Sequence, residues 1–91
     1  MYLYVIQAQE FERVVHKIGI TNDLEKRICN IQTGNPYPVK YVFFQEIKEA
    51  SKIERWLHTQ FNEYKLEGEW FHTITLYDIR KKIFSYNDFD L

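Results

Sequence analysis

The six residues HKIGIT, residues 16 to 21, join a strand to the beginning of a helix. They end the stretch VVHKIGI, residues 14 to 20, whose β-branched residues are typical of a strand. Gly19 and Lys17 interrupt the apolar character of that strand. A glycine inside a strand often marks the close approach of a ligand or of another part of the backbone. The stretch therefore indicates a candidate site as well as a secondary-structure boundary.

A second strand precedes this one. Residues 1 to 8, MYLYVIQA, are rich in β-branched and aromatic side chains, and a short polar connection separates them from residues 14 to 20. The two segments therefore predict an antiparallel hairpin. Alternation within the first strand places Leu3 and Val5 on one face and Tyr4 on the other.

A helix is predicted to follow over residues 21 to 34, TNDLEKRICNIQTG. Asn22 is the expected N-cap, and Glu25 three positions later completes a capping-box pattern. Gly34 is the expected residue at which the helix stops. One helix face carries the apolar residues Leu24, Ile28 and Ile31.

The remaining chain predicts a third strand at 39–47, a helix at 49–64, a turn with a short extended piece at 65–72 and a last helix at 75–84. Residues 86–91 read as an acidic tail. We expect a single α+β domain, residues 1–91, in which a three-stranded, antiparallel-type sheet is flanked by helices in the order β-β-α-β-α-α.

Side-chain patterns support the last two helices. Thr75 and Asp78 form the start signal of the last helix. The helix before it carries one amphipathic stripe, which consists of Ala50, Ile53, Leu57, Phe61 and Tyr64.

Composition restricts the classes of function. The 91 residues include 12 Lys plus Arg and 13 Asp plus Glu, so the net charge is −1 and any site for a polyanion must be a local patch. Cys29 is the single cysteine, which excludes an intrachain disulfide and a four-thiolate zinc site. The chain has no apolar run long enough for a membrane span and no signal-peptide pattern. We therefore expect a cytoplasmic protein that does not bind a membrane.

Five polar side chains are candidates for chemistry, and each also has an ordinary structural interpretation. Tyr4 could be core packing, and Lys17 could simply face solvent. Arg27 could be a surface arginine with a buried stem, or a phosphate clamp whose planar guanidinium matches two phosphate oxygens. Glu54 and His58, four residues apart on one helix face, could be a solvated pair or a metal ligand with its helper.

Other groupings give weaker hypotheses. A zinc site could be formed by His16, Cys29, His58 and His72, although their spacing matches no known motif. A protein-interaction patch could be formed by Trp56, Trp70 and Phe71. A DNA backbone could be contacted by Arg80, Lys81 and Lys82, which could equally be the solvated face of the last helix.

The segments YLYVI, HKIGIT and NDLEKR together resemble the GIY-YIG nuclease superfamily, whose fold is a small β-β-α-β-α-α sandwich. The two family motifs fall on Tyr2-Leu3-Tyr4 and on Lys17-Ile18-Gly19, the helix arginine falls on Arg27 and the metal-binding glutamate falls on Glu54. The first-motif glycine is replaced by Tyr2 and the second-motif tyrosine by Lys17, and the asparagine that often closes the nuclease site has no clear counterpart.

More narrowly, the chain is similar to the bacteriophage and viral branch described as a phage-type DNA-binding domain, which is related to the meiotically upregulated branch. Members of that branch typically combine KIGIT…R with E…H..F and GEWF. Here those segments are residues 17–27, 54–61 and 68–71, so the similarity covers about residues 1–75.

This resemblance implies a metal-dependent endonuclease that hydrolyses DNA and is encoded by a phage or virus. Glu54 would bind one Mg²⁺ or Mn²⁺, and His58 would assist proton transfer or orient Glu54. Tyr4 would orient or deprotonate the attacking water, with its pKa lowered by Lys17 or Arg27. Arg27 would also hold the scissile phosphate.

Further expectations concern the surroundings of this site. The expected DNA contacts are Lys17, Lys26 and Arg27, and the residues expected to shape the site are Gly19, Glu69 and Trp70. Gly19 would let the backbone turn tightly and leave space beside the site. A homodimer or a larger partner would supply specificity. The alternative is a DNA-binding module on the same fold that does not cut.

Overall fold

A computed structural model describes residues 1–86, so all of the predicted acidic tail except Tyr86 lies outside the described residues. Three helices and four strands follow one another along the chain. They are β1 (Tyr2–Glu10), β2 (Arg13–Thr21), α1 (Leu24–Thr33), β3 (Val39–Glu46), α2 (Ala50–Gln60), β4 (Trp70–Phe71) and α3 (Leu76–Ser85), with 3-10 helices at Asn62–Tyr64 and Glu67–Glu69.

The sheet is antiparallel and has the strand order β3-β1-β2-β4. The α+β class predicted from the sequence is confirmed, but the predicted three strands are corrected to four. The additional strand, β4, contributes only two residues, Trp70 and Phe71, which pair with Lys17 and His16 of β2. Two residues cannot express a period-two pattern, so the sequence indicated no more than a short extended piece there.

The central strand β1 is buried on both faces. Leu3 and Val5 face the main core, which also contains Ile18 of β2 and buried residues of α2 and α3. Tyr4 lies on the opposite face and is only 2% exposed. The predicted division of the strand into two faces is therefore confirmed. The remaining members of the main core are Ile47, Ala50, Ile53, Leu57, Phe61, Phe71, Ile74, Ile79 and Ile83.

A bulge in β3 changes which of its residues share a face with Tyr4. Tyr4 pairs with Phe44, whereas Ile6, two residues further along β1, pairs with Tyr41, three residues back along β3. The extra residue on β3 is the mark of a β-bulge. Because Tyr4 and Ile6 share a face, Phe44 and Tyr41 share that face as well, which a regular strand would not allow.

The first helix begins one residue later than predicted. Asp23, not Asn22, is the N-cap, and its side chain accepts a hydrogen bond from the backbone N–H of Lys26 at 3.0 Å. Aspartate and asparagine cap equally well, so spacing alone could not separate these neighbours. The helix ends at Gly34 as predicted, but with φ at −91° rather than in a left-handed conformation.

The second helix is shorter than predicted, whereas the third begins as predicted. The α2 helix ends at Gln60, and the chain continues to Tyr64 through a 3-10 helix. The Thr75–Asp78 capping box is present at the start of α3 and is confirmed. Within residues 1–86, no helix has the length and apolar content needed to cross a bilayer.

Candidate active site

Gly19 is required because the Tyr4 side chain occupies the space where a Cβ would lie. The two residues are paired across β1 and β2. A Cβ built on Gly19 would lie 2.6 Å from Cζ of Tyr4 and closer still to its hydroxyl oxygen. The expectation that Gly19 makes a tight turn is wrong, since Gly19 lies within β2. Its missing side chain instead leaves room for the phenol of Tyr4.

Tyr4 is a neutral phenol in this environment. Burial raises its pKa to about 12, and the carboxylates of Glu69 and Glu54 act in the same direction. The Arg27 guanidinium lowers it and is the only cation among the causes. The prediction that nearby cations lower the pKa of Tyr4 is therefore wrong in its net direction, because desolvation of a charged phenolate outweighs one partly solvated cation. Within residues 1–86 the Tyr4 hydroxyl has no hydrogen-bond partner.

Tyr41 holds Tyr4 from the side. Their rings meet edge to face with centroids 5.7 Å apart. The Tyr41 hydroxyl donates to the backbone carbonyl of Leu24 at 2.6 Å, which ties β3 to the first turn of α1. Arg27 lies one turn further along α1 and lowers the pKa of both tyrosines. The tyrosine pair thus fixes the N-terminal end of α1, the helix that carries the Arg27 guanidinium.

The ammonium group of Lys17 is bound by the segment that connects α2 with β4. Its Nζ donates to the carbonyl of Gly68 and lies 5.5 Å from the ring centroid of Trp70. Burial lowers the pKa of Lys17, Glu69 opposes this effect and Arg27 adds to it. Lys17 therefore joins β2 to the Gly68–Trp70 segment and also contributes positive charge near Arg27.

Glu54 and His58 lie beside the part of the β2 edge that β4 leaves unpaired. His58 Nε2 lies 2.9 Å from the carbonyl oxygen of Ile18, and since a carbonyl can only accept, Nε2 carries the hydrogen and donates it. This bond forms one residue beyond the last β2–β4 pair. The same Nε2 lies 3.8 Å from Oε2 of Glu54. His58 therefore anchors α2 to the sheet edge and places Glu54 beside it.

A second carboxylate joins this group. Glu54, His58 and Glu69 each offer one potential ligand atom, and the three atoms lie within 4.8 Å of one another. Burial raises the pKa of Glu54, His58 lowers it and Glu69 raises it further. The Glu69 carboxylate thus disfavours the ionised form of Glu54, and a divalent cation bound between the two would offset this repulsion.

Left-handed backbone brings Glu69 to this position. Gly68 has a φ of +67° and Glu69 a φ of +68°. Positive φ is unusual for a residue with a Cβ and costs conformational energy. The Leu66 N–H donates to the Trp70 carbonyl at 2.6 Å, which closes the loop around these two residues.

A family model named T5orf172 domain matches residues 1–85 of this chain. The chain belongs to the T5orf172 domain family. Membership in this family suggests a nuclease-related or DNA-binding role. Searches of curated proteins and of solved structures each returned no significant match.

Within this T5orf172 domain, most of the residues singled out from the sequence converge. Glu54, His58 and Glu69 form what we call the acidic group. Arg27, Glu69 and Glu54 all act electrostatically on Tyr4. Arg27 and Glu69 also act electrostatically on Lys17. Lys26 is different: it lies exposed in the first turn of α1, where its backbone N–H serves the Asp23 cap.

The zinc grouping and the aromatic patch do not come together. Among residues 1–86, the acidic group is the one set of three or more such side chains with metal-ligand spacing, so the four-residue zinc hypothesis is not supported. Phe71 is buried, Trp56 packs on Tyr86 and Trp70 lies under Lys17, so the aromatic residues form no common patch. In the basic cluster on α3, Lys82 donates to Gln60.

The structure adds Tyr41 to the site and gives Glu69 a closer place in it than the sequence indicated. Tyr41 was hidden because the bulge in β3 shifts it onto the face of Tyr4. Glu69 was expected only to shape the site, although it stands within ligand distance of Glu54. The GEWF segment carried a signal, because binding and catalytic residues are found disproportionately on loops.

Proposed function

We propose that this T5orf172 domain hydrolyses DNA phosphodiester bonds with the help of one divalent ion, through a site of the GIY-YIG type. The observation that supports this proposal is the acidic group at the β2 edge. Its three potential ligand atoms lie within 4.8 Å of one another, and the carboxylates of Glu54 and Glu69 act electrostatically on the neighbouring Tyr4.

The donors of the acidic group suit Mg²⁺ or Mn²⁺. Glu54 and Glu69 supply hard carboxylate oxygens, and Mg²⁺ commonly uses one or two carboxylates and keeps its other positions for water. His58 Nε2 donates to Ile18, so this atom is not available as a ligand. Glu54 and Glu69 would therefore hold the ion, with His58 as the residue that orients Glu54. When bound, the ion would offset negative charge on the leaving oxygen.

The side chains around this group have distinct roles in the proposal. With a pKa of about 12, Tyr4 keeps its proton at neutral pH, so its hydroxyl orients the attacking water or a phosphate oxygen rather than acting as a free base. Arg27 is exposed on α1, near the pair formed by Tyr4 and Tyr41. In the proposal its guanidinium binds the scissile phosphate. Lys17 holds the Gly68 carbonyl and so keeps Glu69 in place.

A nicking assay on supercoiled plasmid tests the proposal. The wild type is expected to nick in Mg²⁺ or Mn²⁺ and not in EDTA, and Glu54→Gln is expected to lose this activity while keeping the thermal stability of the wild type. Glu63→Gln is the matched control, because Glu63 is an exposed glutamate of the next helical segment outside the acidic group. Nicking by Glu54→Gln at the rate of Glu63→Gln would refute the role of Glu54.

A second candidate is a DNA-binding module that does not cut. Two observations favour it: the pKa of Tyr4 is raised rather than lowered, and Lys17, at the second-tyrosine position of the resembled family, is engaged with Gly68. Such a module would bind DNA with an affinity that falls with salt and does not depend on the divalent ion. Salt-dependent mobility shifts without nicking in any metal would select this candidate.

A further inference from the structure

Phe44 is an exposed aromatic side chain beside the candidate active site. It is 54% exposed and lies near the end of β3, an edge strand of the sheet. It pairs with Tyr4 in the sheet, so the two side chains project from the same face. Phe44 is thus the exposed neighbour of the most deeply buried tyrosine of the site.

Two neighbouring rings fix the orientation of Phe44. Its ring meets Tyr41 edge to face with centroids 6.0 Å apart, and meets Tyr2 in the same way at 6.5 Å. Edge contacts on both sides hold a ring in place while leaving part of its surface open to solvent. An aromatic ring that is exposed yet oriented by its neighbours is suited to stacking against another flat group.

Tyr41 links Phe44 with the proposed phosphate site. Tyr41 contacts both Phe44 and Tyr4, and Arg27 acts electrostatically on both tyrosines. A nucleic-acid strand carries its bases beside its phosphates, so a phosphate held by Arg27 brings a neighbouring base toward this face. A base inside a duplex has its two faces covered, whereas an unpaired base can stack on a protein ring.

We propose that Phe44 is a stacking platform for an unpaired base, and that the preferred ligand of this domain is therefore single-stranded or locally unpaired DNA. This inference rests on the nucleic-acid ligand of the proposed function and adds the class of strand that it selects. It assigns specificity to a residue outside the acidic group and outside the motifs of the resembled family.

DNA binding measured in EDTA tests this inference without cleavage of the DNA. Labelled single-stranded DNA and a fully paired duplex of the same sequence are titrated with wild type, Phe44→Ala and Phe44→Trp. Phe84→Ala is the matched control, because Phe84 is 52% exposed and lies on α3, which packs on the opposite face of the sheet.

The wild type is expected to bind the single strand more tightly than the duplex. Phe44→Ala should weaken single-strand binding about 5- to 150-fold, which is the usual effect of removing one stacking ring, and should leave the salt slope unchanged because no charge is lost. Phe44→Trp should retain the affinity of the wild type, and so should Phe84→Ala.

Equal single-strand affinity of Phe44→Ala and wild type would overturn the inference, and so would an equal loss for single strand and duplex. These outcomes are distinct from failure of the proposed function. Duplex nicking that depends on Glu54 but not on Phe44 would overturn the stacking platform alone. Single-strand binding that depends on Phe44, without nicking in any metal, would support the platform and refute the nuclease.

Discussion

The Gly19→Ala substitution tests the contact on which the whole site depends. The added Cβ would lie 2.6 Å from Cζ of Tyr4, 3.1 Å from Cε2 and closest of all to the hydroxyl oxygen. Ordinary carbon contacts are at least about 3.5 Å, so the Tyr4 ring would have to move by about 1 Å. The ring cannot swing freely, because Tyr4 is 2% exposed and Tyr41 packs against its side.

The expected cost is that of overpacking a core, about 1–3 kcal/mol in the free energy of unfolding. In a domain of this size each kcal/mol lowers Tm by about 4–8 °C. Activity should fall as well, because the displaced hydroxyl of Tyr4 no longer lies beside the acidic group. Thermal and urea unfolding followed by circular dichroism measure the first effect, and plasmid nicking measures the second.

Two further variants make this prediction specific. Gly34→Ala is the matched control: no atom lies within 4 Å of its added Cβ, and φ is not positive, so it should be neutral or stabilising by up to about 1 kcal/mol. In a Tyr4→Leu background, the atoms that clash are gone, so Gly19→Ala should no longer destabilise. Equal stability of Gly19→Ala and Gly34→Ala would refute the predicted clash, and so would a cost that persists in the Tyr4→Leu background.

Three other predictions concern the stability and packing of the fold. Burial lowers the pKa of His16 below 6.5 in the folded protein. As the pH falls, the His16 side chain is therefore protonated more readily in the unfolded chain than in the folded one. The contribution of neutral His16 to the free energy of unfolding should be complete above pH 6.5 and should be lost as the pH falls through the folded-state pKa. His16→Leu should flatten that part of the stability–pH curve, and an unchanged curve would contradict the assignment. Lys17→Met removes the cation over Trp70 and should change tryptophan emission without unfolding the sheet; identical emission spectra would show that the contact does not persist in solution. Thr75→Ala removes the side chain that caps α3 with Asp78 and should cost about 1 kcal/mol by urea unfolding, whereas Thr59→Ala, within α2, should cost less.

Local patterns in the sequence were sufficient for most elements of the fold. The hairpin of β1 and β2 followed from β-branched runs, and α3 followed from its capping box. These features depend on residues close together in the chain, so spacing and residue type express them directly. The pairing of Glu54 with His58 could be predicted for the same reason, because the two residues lie one turn apart on α2.

Contacts between residues far apart in the sequence decided the structural details that local patterns could not predict. The strand β4 depends on pairing with β2, and Tyr41 reaches Tyr4 only because a bulge shifts β3. Glu69 enters the acidic group through two consecutive left-handed residues. None of these arrangements leaves a periodic signal in the amino-acid sequence.

Gly19 and Tyr4 illustrate the division most clearly. The sequence by itself determined that a glycine stood in a strand and that a tyrosine stood in its neighbour. Only the tertiary structure decided that the phenol lies over the glycine and that burial raises its pKa to about 12. The register of two strands and the water removed by packing are properties of the assembled sheet, and they fix both the space around a side chain and the free energy of its charged form.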